Sequence, residues 1–342
     1  IEHTRRRLSG DRLGERVAAA IARGDVSLEY QPIWAVDRVD EEMVGAEVLV
    51  RWVDDELGAV PPGTFVPQLE NADRLAELGD WVLEEACRNL AVWQGAGAGR
   101  DRPFHLAVNV SSVQVDEELP DRIAALLDRH GADPGGLVLE LTERTVLEDR
   151  AKAVPVLTRI RQLGVRIAID DFGTGYSSLA YLRDLDFDIL KLDRSFIDGL
   201  GPTRPDGDTT ETTIVRTVIS LGQSLAKDVV VEGVETRAQL DRIASMGPVQ
   251  VQGSLLSAPV DAETLAVRLA VDRRPTPPPT PPAPAPPATR ALSSRLLDRM
   301  WRELAFTSPR QEAAGSRPAE VTLAGMFLAG AVVTSAVVLL TA

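Results

Sequence analysis

A closed (β/α)8 barrel of the TIM type, followed by a Pro-rich linker and a C-terminal transmembrane helix, is the fold class this sequence predicts, and three observations carry the expectation. Eight short apolar runs alternate with helical stretches between Ser27 and about Ala270, which is the sequence form of repeated β–α units and a parallel sheet. Acidic or amide residues stand at or just beyond the ends of most of these runs, where the strands of a barrel converge on one mouth. The chain has 342 residues and 44% hydrophobic content, enough to enclose the core of a barrel of about 250 residues.

Taken in order, residues 11–23 space Leu13, Val17, Ala20 and Ile21 along one helical face, and Gly24 is placed to stop the helix. Ile1 is not a methionine and the opening residues lack the apolar core of a signal peptide. Residues 1–25 are therefore expected to be a lead-in helix and a linker from an upstream domain. The barrel is expected over 26–271, with strands at 27–33, 45–51, 104–110, 136–141, 166–170, 187–192, 228–232 and 249–252.

Residues 272–289 form a Pro-rich linker, whose core from Pro275 to Pro287 is nearly all Pro, Thr and Ala and spans roughly 40 Å as extended polyproline II. Over 290–307, Leu292, Leu296, Met300 and Leu304 oppose Arg295, Arg299 and Arg302, the pattern of an amphipathic helix lying in a membrane interface. Residues 321–342 carry no charge, and at about 1.5 Å per residue they cover a hydrocarbon core of about 30 Å. Arginines lie on the N-terminal side of that span alone, so the positive-inside rule puts the barrel in the cytoplasm. The expected location is the inner (cytoplasmic) membrane, held by a single-pass C-terminal anchor.

A net charge of −14 argues against DNA or RNA as a partner, because neutralising many phosphates needs Lys and Arg in excess. The lone Cys87 excludes an intrachain disulfide and points to a reducing compartment. In a barrel, Glu47, Asn109, Glu140, Asp170, Asp171, Lys191, Glu232 and Gln252 converge from separate runs. Carboxylates crowded in this way raise one another's pKa values unless cations neutralise them. Hard oxygen donors select Mg2+ or Mn2+, and His3, His105 and His130 do not fall where a zinc site would need them. Taken singly, Glu47 or Glu140 is more often a helix cap or a surface group, Asn109 a turn or cap residue and Lys191 a lysine snorkelling from a strand edge, whereas two carboxylates before the glycine-hinged loop of 170–179 suit metal binding beneath a mobile lid. The AspPheGly triplet at 171–173 is shared with protein kinases, but neither the catalytic-loop HRD pattern nor a VAIK strand accompanies it.

The ordered set decides the matter. YQPI (30–33), EVLVRW (47–52), NVSS (109–112), ELTE (140–143), DDFGTGYSSL (170–179), KLD (191–193), EGVET (232–236) and QGS (252–254) together resemble the EAL phosphodiesterase family over about residues 26–270. The resemblance implies metal-dependent hydrolysis of cyclic di-GMP to linear pGpG in bacterial signalling. It also implies two Mg2+ or Mn2+ ions held by Glu47, Asn109, Glu140, Asp170, Asp171 and Glu232, directly or through water. Glu232, Lys191 and Asp171 are then catalytic, Arg51 grips a substrate phosphate, and Gln31 and Gln252 line the substrate side. Glu143 anchors a lid loop, and the barrel pairs as a homodimer. Departures are Val48 for alanine, the GPVQV segment before Gln252, and Ser254 for tyrosine. The rival class is an EAL-like receptor that binds cyclic di-GMP without cleaving it. Such proteins usually lack metal ligands, whereas the mapped set is intact here.

Overall fold

A computed structural model describes residues 11–36, 41–71, 74–96, 104–173, 185–201 and 209–271. The linker, the interfacial helix and the transmembrane span expected over 272–342 lie outside the described residues. Among those described, no helix is long and apolar enough to cross a membrane. The lead-in helix α1 (Asp11–Arg23) is present, with Val17 and Ala20 buried as its periodicity requires. Arg16 on α1 reaches Asp54, donating from Nη2 to both carboxylate oxygens at 2.6 and 2.7 Å.

The strands follow as β1 (Val26–Val36), β2 (Glu41–Asp54), β3 (Gly58–Val60), β4 (His105–Asn109), β5 (Leu137–Thr142), β6 (Arg166–Phe172), β7 (Ile189–Leu192), β8 (Asp228–Val231) and β9 (Val249–Val251). The hydrogen-bonded order is β1-β9-β8-β7-β6-β5-β4-β2, and β2 pairs back onto β1, so eight strands close a barrel with β3 appended to β2. Helices α2 (Pro62–Asn71), α3 (Leu75–Ala96), α4 (Leu119–His130), α5 (Glu143–Glu148), α6 (Arg150–Gln162), α7 (Thr210–Ser224), α8 (Arg237–Ala244) and α9 (Ala262–Val271) are distributed between them.

One expectation needs correction, since the sheet is not wholly parallel. β1 runs antiparallel to both β2 and β9. The reason is length: the chain between Trp34 and Val44 is too short for a crossover helix, which needs a dozen or more residues. The two runs therefore join as a hairpin.

Strand alternation sets the interior. Ile33, Val44, Ala107, Val138, Ala168, Ile189 and Val230 form a separate apolar cluster inside the ring, while the larger core lies between sheet and helices. Two residues beyond the plug on the parallel strands come Asn109, Glu140, Asp170, Lys191 and Glu232. The period of two places each on the face of its apolar predecessor, one layer nearer the mouth. In β1 the order is inverted: Gln31 precedes Ile33 because that strand runs the other way. The polar mouth is thus the next layer of the same alternation that fills the barrel.

Candidate active site

Lys191 is the centre of the site. Its side chain is 1% exposed, and Nζ lies 2.6 Å from Glu232 Oε1, 2.7 Å from Glu140 Oε1, 3.4 Å from Asp170 Oδ1 and 3.5 Å from Glu47 Oε2. The ammonium therefore sits in close ionic contact with all four acids, while Glu140 Oε2, the oxygen turned away from it, is buried without a hydrogen bond. Around them sits an amide shell. Asn109 Nδ2 donates to Glu47 Oε1 at 2.8 Å, and Gln252 Nε2 donates to Glu47 Oε2 at 2.7 Å and to Gln31 Oε1 at 3.1 Å. Gln31 in turn donates to the Ser257 carbonyl. Strand pairing fixes these neighbours, because Gln31 lies opposite Glu47 and Asn109 opposite Glu140.

The environment divides the carboxylates. Burial opposes charge on Glu47, yet Lys191 and the two amides together hold its pKa below the usual range. Burial pushes Glu140 well above that range, against the pull of Lys191. Glu232 is pushed up to about 7, by burial first and then by Asp170 and Glu47, with Lys191 opposing. Lys191 itself is buried, but its four carboxylates raise its pKa well above the ordinary value and keep it protonated.

Asp171 is the outlying member. It is exposed, with φ 54°, and the β6–β7 ladder is irregular between Ile169 and Phe172. Asp is among the non-glycine residues that best tolerate this left-handed region. Its backbone N–H donates to Asp170 Oδ1 at 2.9 Å, and partial desolvation of its carboxyl at the mouth, followed by the charges of Asp170 and Asp193, raises its pKa. Glu143 is buried in the first turn of α5; of the segment 170–179 that carries the lid it is expected to anchor, residues 174–179 lie outside the described residues. Arg51 stands at the rim, partly exposed, with its Nε donating to Glu29 at 2.8 Å. Glu29 escaped the sequence reading. The signal that could have found it is alternation, since it shares a β1 face with Gln31 and lies one step diagonally from Arg51.

The donor set suits divalent cations: several carboxylates, an amide, and a buried carboxylate oxygen, Glu140 Oε2, left without a hydrogen bond. Among the described residues no three His, Cys, Asp or Glu side chains already converge as a metal cluster, and Lys191 Nζ takes the position between the acids. The departures from the family pattern are local. The GPVQV segment still supplies β9, and Ser254 is exposed beside the mouth. Gly253 must remain glycine, because a Cβ there would collide with the backbone of Val234.

A family comparison matches the EAL domain to residues 15–259. This chain belongs to the EAL domain family. Among its relatives, the bifunctional diguanylate cyclase/cyclic di-GMP phosphodiesterase MucR of Pseudomonas aeruginosa is 38% identical over 252 residues, which is 73% of this chain and 35% of MucR. The cyclic di-GMP phosphodiesterase NbdA of the same organism is 38% identical over 266 residues, 78% of this chain and 33% of NbdA. This EAL chain thus spans about a third of the length of those curated relatives. Its fold matches the PaMucR phosphodiesterase in complex with c-di-GMP at a TM-score of 0.67 and 38% identity, covering 74% of this chain and 99% of that one. The EAL domain of Mycobacterium smegmatis DcpA matches at 0.58 and 34%, covering 74% and 99%.

Proposed function

We propose that this chain is a cyclic di-GMP phosphodiesterase yielding linear pGpG. The observation that carries the reading is the ring of Glu47, Glu140, Asp170 and Glu232 around a buried lysine, inside a fold shared with EAL domains described as phosphodiesterases. Glu47, Asn109, Glu140, Asp170, Asp171 and Glu232 would hold two Mg2+ or Mn2+ ions, which when bound supply an activated water and charge stabilisation at the phosphoryl group. Glu232, which reaches the site beside Lys191 Nζ, would also assist proton transfer from the attacking water. Lys191 compensates charge at the mouth, Arg51 holds a phosphate oxygen, and Asn109 and Gln252 fix the Glu47 carboxylate through both its oxygens.

The test is chromatography of products after incubation with cyclic di-GMP and Mg2+ or Mn2+, with Glu47→Gln and Asp170→Asn beside the wild type. Turnover to pGpG is expected, falling at least about 100-fold in either variant on the scale typical for loss of an electrostatic catalytic group, with circular dichroism unchanged. Binding without any cleavage would make the chain a receptor, and full turnover in either variant would remove the ligand assignment. We further propose that residues 321–342 anchor the protein in the inner membrane, on the strength of their uncharged length alone.

A further inference from the structure

We infer that Glu29 is a positioning residue of this site, holding the Arg51 guanidinium over the barrel mouth so that its free N–H groups meet an anionic phosphodiester. The inference rests on the reading of Arg51 as the phosphate-binding arginine. Arg51 shares a β2 face with Glu47 and lies four residues nearer the rim, about 13 Å along the strand. Its direct cross-strand neighbour is Ser27, while Glu29 lies opposite Leu49. The Arg51 Nε bond to Glu29 Oε2 at 2.8 Å therefore runs diagonally and draws the guanidinium back toward the carboxylate cluster.

A second bond, from Nη1 to the Val50 carbonyl at 3.1 Å, fixes the other edge. Of the five N–H groups of a guanidinium, three then remain in a fork suited to two phosphate oxygens. Glu29 and Arg51 are 38% and 32% exposed, so their ion pair adds little to stability; its consequence is orientation. The Glu29 charge also repels a phosphate, but at this exposed rim that longer-range term is screened by salt. The short-range fork geometry is not screened in this way, so orientation dominates.

The experiment measures KM and kcat for cyclic di-GMP with Mg2+ in Glu29→Ala, Glu29→Gln, Arg51→Ala and the Glu29→Ala/Arg51→Ala double variant, with Kd as the readout in place of KM if turnover is absent. Glu29→Ala should raise KM about two- to tenfold, the scale of ordering one long side chain, with kcat little changed. Glu29→Gln, which keeps an acceptor, should recover most of that loss. In the Arg51→Ala background, Glu29→Ala should add nothing. A wild-type KM in Glu29→Ala, or a rise that persists undiminished without Arg51, overturns the inference. If Arg51→Ala alone leaves KM unchanged, the arginine reading itself fails and the inference falls with it.

Discussion

A buried lysine among four carboxylates is stable only as a unit, which makes Lys191 the residue whose loss should be felt most. Its Nζ lies within 4 Å of Glu47, Glu140, Asp170 and Glu232, and removing one partner of a buried ion pair is destabilising by about 3–5 kcal/mol. Lys191→Met is expected to lose stability on that scale in urea unfolding with EDTA. Mn2+ should restore more stability to the variant than to the wild type, because a divalent cation can take over the missing charge. An unchanged unfolding midpoint would show that the acids are neutral without the lysine. This depth was only half legible in sequence. Lys191 between Leu190 and Leu192 reads as a strand-end lysine that compensates charge, but nothing local says that its ammonium is buried at the centre of the acids. Asn109, Glu140 and Asp170 were legible because each follows an apolar run at the spacing that strand alternation sets, and Glu47 through the ordered motif set that contains EVLVRW. Glu29 was not, because its role depends on a diagonal pairing that exists only once β1 turns back against β2.

At the scale of elements, the lead-in helix is tied to the strand that carries the site. Asp54, which ends β2, is 4% exposed and accepts from Arg16 and from the backbone N–H groups of Glu56 and Leu57. Burial opposes its charge, but Arg16 and those amides hold its pKa below the usual range. The folded pKa is depressed, so the stabilisation is fully present above the unfolded value of about 3.9. It is lost as pH falls through the lower folded value. Arg16→Ala should therefore reduce stability by about 1–2 kcal/mol at neutral pH, and the difference from wild type should shrink as pH falls below the unfolded carboxyl value of about 3.9. Unfolding of both proteins at pH 7 and again near pH 3 checks this, and an equal difference at both would mean that Arg16 acts by packing alone. The helix itself was legible from its apolar spacing and Gly24. The hairpin direction of β1 was not read, although the chain between the first two runs was already too short for a crossover and Gln31 already preceded Ile33.

For the whole molecule, the last described element before the proline run is packed into the core of the barrel unit. Helix α9 buries Leu265 and Leu269 and packs against α3 and β1. Tyr30 and Val260 exchange backbone hydrogen bonds at 2.7 and 2.9 Å, which ties the end of the barrel to its first strand. A chain ending at Arg273 keeps all these contacts and should fold with an unchanged unfolding midpoint. The uncharged stretch from Val321 to Ala342 lies outside the described residues, and the anchor proposed for it rests on its length and composition. The proposed anchor would sit in lipid, because a helix apolar on every face needs apolar surroundings all round it. Fractionation of cells expressing both forms tests the assignment. The full chain should need detergent for extraction, whereas the form ending at Arg273 should be soluble and hydrolyse cyclic di-GMP at the same rate per molecule. Recovery of the full chain in the detergent-free supernatant would overturn the anchor while leaving the barrel chemistry untouched.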